Sequence, residues 1–267
     1  MLTLCCTFIE YNEDVKRTLN SFQEFVNEAR VLAEDQEISI LGVTSNRKDL
    51  QNNELISLVN NIEFIPKKGV YFAYNFSVKK SFFYNSKWLW IIGGGDTLYK
   101  PNIKLLNMLK SDKYNENIIV GSMIIGNRKN KHKQHYPYTK LWQNIDKMRL
   151  NHPAMIISTL TYKKIGFYNE NLKMIADYEW CIKALKANIK FIKLGNNFTY
   201  HELGGISTRY GKSRILLHLS CIKILIKHLR LPHLILFALA SRLIRFLFSR
   251  SIHYSKLILS NATRWNE

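Results

Sequence analysis

Trp88-Leu-Trp-Ile-Ile-Gly-Gly-Gly-Asp96-Thr-Leu-Tyr99 decides how this chain folds. An unbroken apolar run reads as a strand buried on both faces. Three glycines then let a ligand approach the backbone closely, and a carboxylate follows at the strand's C-terminal end. Asp96 there either holds a divalent cation bridging a diphosphate or caps a tight turn. The stretch is neither a phosphate loop, since no Lys-Ser/Thr follows, nor a G-x-G-x-x-G fingerprint.

Upstream of it, short apolar runs alternate with helical periodicity. Leu2 to Ile9, Ile38 to Val43 and Ile62 to Ile65 read as strands. Val15, Leu19, Phe22, Phe25, Val26, Ala29 and Leu32 recur at three and four and mark an amphipathic helix, with further helices near 49–60 and 70–84. This alternation predicts an α/β fold, a mainly parallel sheet covered on both faces. Ligands of such sheets bind beyond the carboxyl ends of the strands, so the loops after Ile9, Val43 and Ile92 carry the expected site. Downstream, Asn127 to Lys140 (NRKNKHKQHYPYTK) is basic and Pro-interrupted and reads as a loop or lid. Order resumes with a strand at Ala154 to Ile157, a helix through Asp177 to Ala187 and a strand at Ile189 to Leu194.

The 267 residues, 46% hydrophobic and 12% aromatic, exclude disordered and fibrous classes. A net charge of +19 calls for an anionic partner: nucleic acid, phosphorylated small molecules or an acidic membrane surface. Cys5, Cys6, Cys181 and Cys221 lack C-x-x-C spacing, which argues against a structural zinc or a disulfide framework. MLTLCCTFIEYNED has no basic n-region and no small-residue cleavage site, so it reads as a first strand in a cytoplasmic protein.

After Thr208 the character changes. Lys212, Arg214, Lys223, Lys227, Arg230, Arg242, Arg245, Arg250, Lys256 and Arg264 alternate with Leu, Ile and Phe, and Glu267 is the sole acid. The apolar stretch around Pro232 is too short for a spanning helix, which needs about 20 residues. The expected organisation is therefore a domain over 1–210 and a basic amphipathic helical tail over 211–267. That tail either lies in an anionic membrane interface or packs on the core with a solvated basic face. Nucleic acid is not the expected partner, because the tail's aromatics share its hydrophobic face instead of interleaving with Lys/Arg on an exposed one.

Two more constellations carry chemistry. Asn151-His-Pro-Ala-Met-Ile-Ile-Ser158 leads through Lys164-Ile-Gly-Phe-Tyr-Asn-Glu170 to Ile175-Ala-Asp-Tyr-Glu-Trp180. Asp177 and Glu179 start a helix there, where capping alone would explain an acid. Tyr200-His-Glu-Leu-Gly-Gly-Ile-Ser207 sets a histidine beyond a strand end, followed by a flexible glycine pair.

In their order these pieces resemble the inverting family 2 glycosyltransferases of the GT-A fold, particularly the branch of bacterial capsule, O-antigen (lipopolysaccharide) and exopolysaccharide biosynthesis. The family's G-[IV]-Y-D-A-M-N segment and N-[SA]-D-D-T-L-Y turn are matched by Gly69-Val-Tyr-Phe-Ala-Tyr-Asn75 and Gly93-Gly-Gly-Asp96-Thr-Leu-Tyr99. Its Ile-Gly-x-Phe/Tyr-Asn/Asp-Glu turn, Ala-Asp-Tyr-Glu/Asp helix start and Gly-Gly-Ile-Ser end follow in Asn151–Trp180 and Tyr200–Ser207, so the likeness covers roughly residues 2–210.

The resemblance implies a GT-A (Rossmann-like) sheet and a transferase moving sugar from a nucleotide-sugar donor to a lipid-linked saccharide acceptor, peripheral on the inner face of the cell membrane. It implies Asp177 as general base. Tyr11, Asn12, Tyr71, Asn75, Gly94, Gly95 and Asp96 fall to the nucleotide-sugar, Asp96 and His201 to a divalent cation (Mn²⁺ or Mg²⁺), and His152 and Glu179 to the acceptor side. Acidic positions are lost: the family's Asp-Gly-x-Ser-x-Asp is replaced by Gly42-Val-Thr-Ser-Asn-Arg47, and the carboxylate before Asp96 by Gly95. The losses imply weak metal dependence or a degenerate, non-catalytic paralogue serving as scaffold or accessory subunit.

Overall fold

The computed structural model describes residues 1–127, 130–144, 150–202 and 212–229, together with residues 236 and 240. Its frame is a nine-stranded sheet ordered β3 (Asn61–Phe64), β2 (Ile38–Thr44), β1 (Leu2–Phe8), β4 (Trp88–Gly93), β8 (Met155–Ser158), β6 (Ile118–Asn127), β9 (Phe191–Glu202) and β5 (Thr97–Leu98), with β7 (Asn130–His135) paired to β6. The strands β1, β2, β3 and β4 run parallel. β8 is antiparallel to both β4 and β6, and β6 is parallel to β9. The continuous apolar strands are buried because helices cover both faces. α1 (Glu13–Leu32) and α4 (Ile103–Lys110) pack on one face, α3 (Val70–Phe83) and α7 (Ala176–Lys186) on the other.

Two stretches depart from the sequence reading. Asn130–His135 is not a loop or lid but a strand, β7, hairpinned onto the C-terminal half of β6. That half of β6 outruns β8, so it offers unpaired backbone groups, and a polar, lysine-bearing strand is what a sheet edge accepts. Strand β9 runs to Glu202, well beyond Leu194. Its register against β6 shifts on both sides of Ser122, where Gly121 lies against the Phe198 ring. A Cβ at Gly121 would overlap that ring, so the strand can bend and continue only because the residue is glycine.

The helix α8 (Lys212–Leu229) begins the basic region, and its Cys221, Ile224, Leu225 and Leu229 pack on Ile175, Tyr178 and Ile182 around α7. Gly204-Gly-Ile-Ser207 and the tail beyond Leu229, apart from residues 236 and 240, lie outside the described residues. Among the described residues no helix is long and apolar enough to cross a membrane.

Candidate active site

The site gathers beyond the C-terminal ends of β1, β2 and β4. After β4 the chain turns through Gly94, whose N–H donates to Thr7 O, and Gly95, which takes φ +108°. Only glycine adopts that conformation readily, so no carboxylate side chain can replace Gly95 without strain. A Cβ on Gly94 would stand 2.8 Å from Val15 Cγ2 on α1. The turn is fixed from outside: Gly95 N–H donates to Thr18 Oγ1 at 2.9 Å, and Arg17 Nη2 reaches Gly95 O at 3.3 Å and Glu202 Oε2 at 2.7 Å.

Next in the chain, Asp96 is 7% exposed, and its Oδ1 lies 2.7 Å from His201 Nδ1. Strand pairing brings these residues together across 105 positions. β5 (Thr97–Leu98) runs antiparallel to β9 with Thr97 opposite Tyr200, which seats His201 beside Asp96. The hydrogen bond to Asp96 raises the His201 pKa above its ordinary value against the opposing effect of burial.

The other pole is Asp177, in the first turn of α7. Tyr71 Oη and the Tyr178 backbone N–H both donate to its Oδ1, each at 2.9 Å. Burial raises the carboxyl pKa, with those two hydrogen bonds opposing. Tyr74 packs beside Tyr71, ring centroids 5.8 Å apart, and its hydroxyl pKa is pushed far up by burial, with the negative charges of Asp177 and Asp96 adding to the shift. Tyr74 is stacked on His152, ring centroids 4.6 Å apart and planes 9° from parallel.

Several expected ligand contacts are turned to the protein instead. Asn12 is the N-cap of α1, accepting from Val15 N–H at 3.0 Å, because the four free amides of a helix start need acceptors. Asn75 is buried and pins the loop before α7: it accepts from Tyr168 N–H and donates to Tyr168 O and Glu170 Oε1. His152, expected on the acceptor side, is packed inside the protein. It is buried with Nε2 2.8 Å from Tyr168 Oη, and burial holds its pKa down at about 4, so it is a neutral support under Tyr74. Glu179, 4% exposed, faces α8, where its Oε1 meets His228 Nε2 at 2.8 Å and Lys227 Nζ at 3.2 Å. The helical period explains this: two residues along α7 turn the side chain about 200° away from Asp177. Tyr11 contributes its backbone N–H, which donates to Asp49 Oδ2 at 3.0 Å.

Asp49 is the residue the sequence reading passed over. It is 5% exposed, and Oδ2 also takes the Thr44 hydroxyl at 2.5 Å, so one carboxylate ties the loop after β1 to the loop after β2. The signal was present two residues late: Thr44-Ser-Asn-Arg-Lys-Asp49 ends on the acid that Gly42–Arg47 lacks. Arg17 had no comparable signal, because on an amphipathic helix it reads as an ordinary solvent-facing cation. Among the described residues no group of three or more His, Cys, Asp or Glu side chains gathers as a metal site.

No protein-family model matches this chain, and no curated protein matches it in sequence. Its architecture does have solved counterparts. The structure of Staphylococcus aureus TarS 1–349 superposes with a TM-score of 0.62 at 15% identity over 94% of this chain and 73% of that one. TarS 1–349 in complex with UDP gives 0.58 at 13% identity over 85% and 66%. A longer TarS chain gives 0.59 at 14% identity, and of it this chain spans 42% of the length. The fold is a Rossmann-like glycosyltransferase fold. In that fold the Asp96 turn sits where the sheet's switch-point logic places a ligand, outside the carboxyl end of β4.

Proposed function

We propose that this chain is an inverting glycosyltransferase in which Asp177 is the general base. The observation that carries the reading is the placement of the two acids: Asp96 is paired with His201 at the turn after β4, and Asp177 at the start of α7 is held by the hydroxyl of Tyr71 from α3. An alcohol attacks poorly until its proton is taken. The acceptor's proton passes to Asp177 Oδ2, its oxygen bonds to the anomeric carbon, and the bond to the donor's diphosphate breaks with its electron pair leaving on the nucleoside diphosphate. Oδ1 is engaged by Tyr71 and Tyr178, which fixes the carboxylate's rotation and presents Oδ2. Burial strengthens the base by raising its pKa.

Asp96 and His201 take the diphosphate end. One carboxylate and one imidazole suit a divalent cation, Mn²⁺ or Mg²⁺, that completes its shell from phosphate oxygens and water. Such an ion would neutralise charge on the departing group, and with two protein ligands the dependence on it is weak. The UDP complex of TarS 1–349 supports a nucleoside diphosphate as the leaving group. The acceptor in this reading is a lipid-linked saccharide of capsule, O-antigen or exopolysaccharide synthesis, met at the inner face of the cell membrane. A non-catalytic scaffold draws support from Gly42 and Gly95, which stand where the resembled family carries acids.

The test is thermal stability with UDP, GDP, CMP or dTDP, each with and without Mn²⁺ or Mg²⁺. A ligand at 100 times its Kd stabilises the fold by about 2.7 kcal/mol. Stabilisation by one of them, followed by transfer from the matching nucleotide-sugar, is the expected result. A folded protein unmoved by any would favour the scaffold.

A further inference from the structure

The helix α3 leaves large apolar surface uncovered at its C-terminal end. Small residues on its inner face, Ala73, Ser77, Val78 and Ser81 among them, let it lie close enough for Cys5 Sγ of β1 to hydrogen-bond Ser77 Oγ at 3.1 Å. Phe72, Phe76 and Phe83 fall at spacings of four and seven. Phe72 and Phe76 are half-buried against the core, and Phe83 is 76% exposed. A surface helix of a water-soluble domain usually presents polar residues there.

The neighbouring helix α6 (Thr159–Ile165) extends this face. Phe82 lies 6.4 Å from Phe167, just beyond the end of α6, and both Leu160 and Phe167 are exposed. Lysines rest on the rings: Lys68 over Phe72 at 5.1 Å, Lys79 over Phe167 and Lys163 over Phe82, both at 5.6 Å. Neither α3 nor α6 contains an acid. Of the acids near the face, Glu63 is engaged by Lys80 and the Tyr84 hydroxyl, Glu116 by Lys164 at 3.6 Å, and Glu170 takes the neutral Asn75 amide at 2.7 Å, leaving one acid among the lysines.

We propose that the outer face of α3 and α6 seats on an anionic lipid surface, with Phe83 and Phe167 in the headgroup boundary and Lys68, Lys79 and Lys163 on the phosphates. The exposed Phe83 and Phe167 stand among cations and are spread over two helices, which matches an interface and not a small ligand. Charge selects this occupant over the alternatives. A second copy of a chain with net charge +19, or its own tail with eleven cations and one acid beyond Thr208, would be repelled by these lysines. The seat also has a consequence for orientation. Lys68 and Phe72 flank Tyr71, which touches Asp177, so the face runs from the rim of the cleft for about 21 Å along α3.

The proposal does not rest on the transferase reading, and its failure would leave that reading untouched. The test places one thiol-reactive bimane on the full chain, at Phe83→Cys, or at Val31→Cys as a control. Val31, 82% exposed, ends α1 on the opposite side of the sheet. The four native cysteines are buried and leave the introduced thiol as the target. With vesicles of phosphatidylcholine and phosphatidylglycerol carrying nitroxide lipids, the Phe83 label is quenched and blue-shifted while the Val31 label is not. Phosphatidylcholine alone gives neither change. Lys79→Ala with Lys163→Ala lowers the vesicle partition coefficient about 30-fold, about fivefold per cation. Vesicle binding with the Phe83 label unquenched, quenching at both positions alike, or a lipid-free dimer that shields the label would each overturn the assignment.

Discussion

Replacing Asp177 by Asn separates chemistry from folding at a single atom. In the wild type both hydrogen bonds from the protein, Tyr71 Oη and Tyr178 N–H, end on Oδ1. The asparagine carbonyl keeps both, and its amide nitrogen takes the place of Oδ2, so the oxygen that would receive a proton becomes a donor. A positioned general base contributes about 10²- to 10⁴-fold, or about 3–5 kcal/mol of barrier. The folded state has the opposite interest. Burial raises the Asp177 pKa, which means that the charged form is disfavoured inside the protein, and a neutral isostere removes that penalty at neutral pH. Asp177→Asn is therefore expected to lose transfer by about three orders of magnitude while nucleotide affinity is unchanged and Tm is equal or higher. Radiolabelled-sugar transfer, calorimetry with the nucleoside diphosphate and a melting curve read the three quantities. Turnover within tenfold of wild type would refute the base. A fall in Tm of about 4 °C, roughly 1–2 kcal/mol, would show instead that the carboxylate is a structural anion.

Other perturbations follow from the same contacts. Tyr71→Phe removes a donor that favours the ionised carboxylate, so the acid limb of the kcat/KM profile moves to higher pH and activity at neutral pH falls about 10-fold or more; an unmoved limb would detach Tyr71 from the base. Glu179→Gln loosens α8 from α7. Burial pushes the Glu179 carboxyl up, but the bonds from His228, Lys227 and Asn169 outweigh it and hold the pKa below the ordinary value. The stability advantage of wild type is then full above the ordinary glutamate pKa and fades as pH falls through the lowered one, which denaturant midpoints across that acid range would read. Gly121→Ala drives a methyl into the Phe198 ring and costs about 1–3 kcal/mol by overpacking, read as a lower urea midpoint at unchanged slope.

The order of elements was legible because each is specified locally. Trp88 to Ile92 is too apolar to be anything but a buried strand, and the three-and-four recurrence from Val15 to Leu32 can bury only one face of a helix. Asp96 at the end of its strand and Asp177 at the start of its helix were likewise visible, since glycines and helix starts mark themselves in sequence. What a polar side chain touches is not specified locally. Asn75 and Glu179 read as site residues because they stand beside site residues in the chain. One turned out to clamp the Tyr168 loop and the other to clamp α8, partners 93 and 49 positions away.

The sequence alone therefore determined a mainly parallel sheet, its expected switch point and two carboxylates at element ends, all consequences of short-range periodicity and backbone freedom. Only the tertiary structure decided that His201 hydrogen-bonds Asp96 directly, that Tyr71 holds Asp177, that Asp49 joins two loops and that Phe83 of α3 is left exposed. Those facts depend on strand register across β5, β6 and β9 and on which helix face finds the sheet. Contacts between distant residues fix both, and local pattern does not encode them.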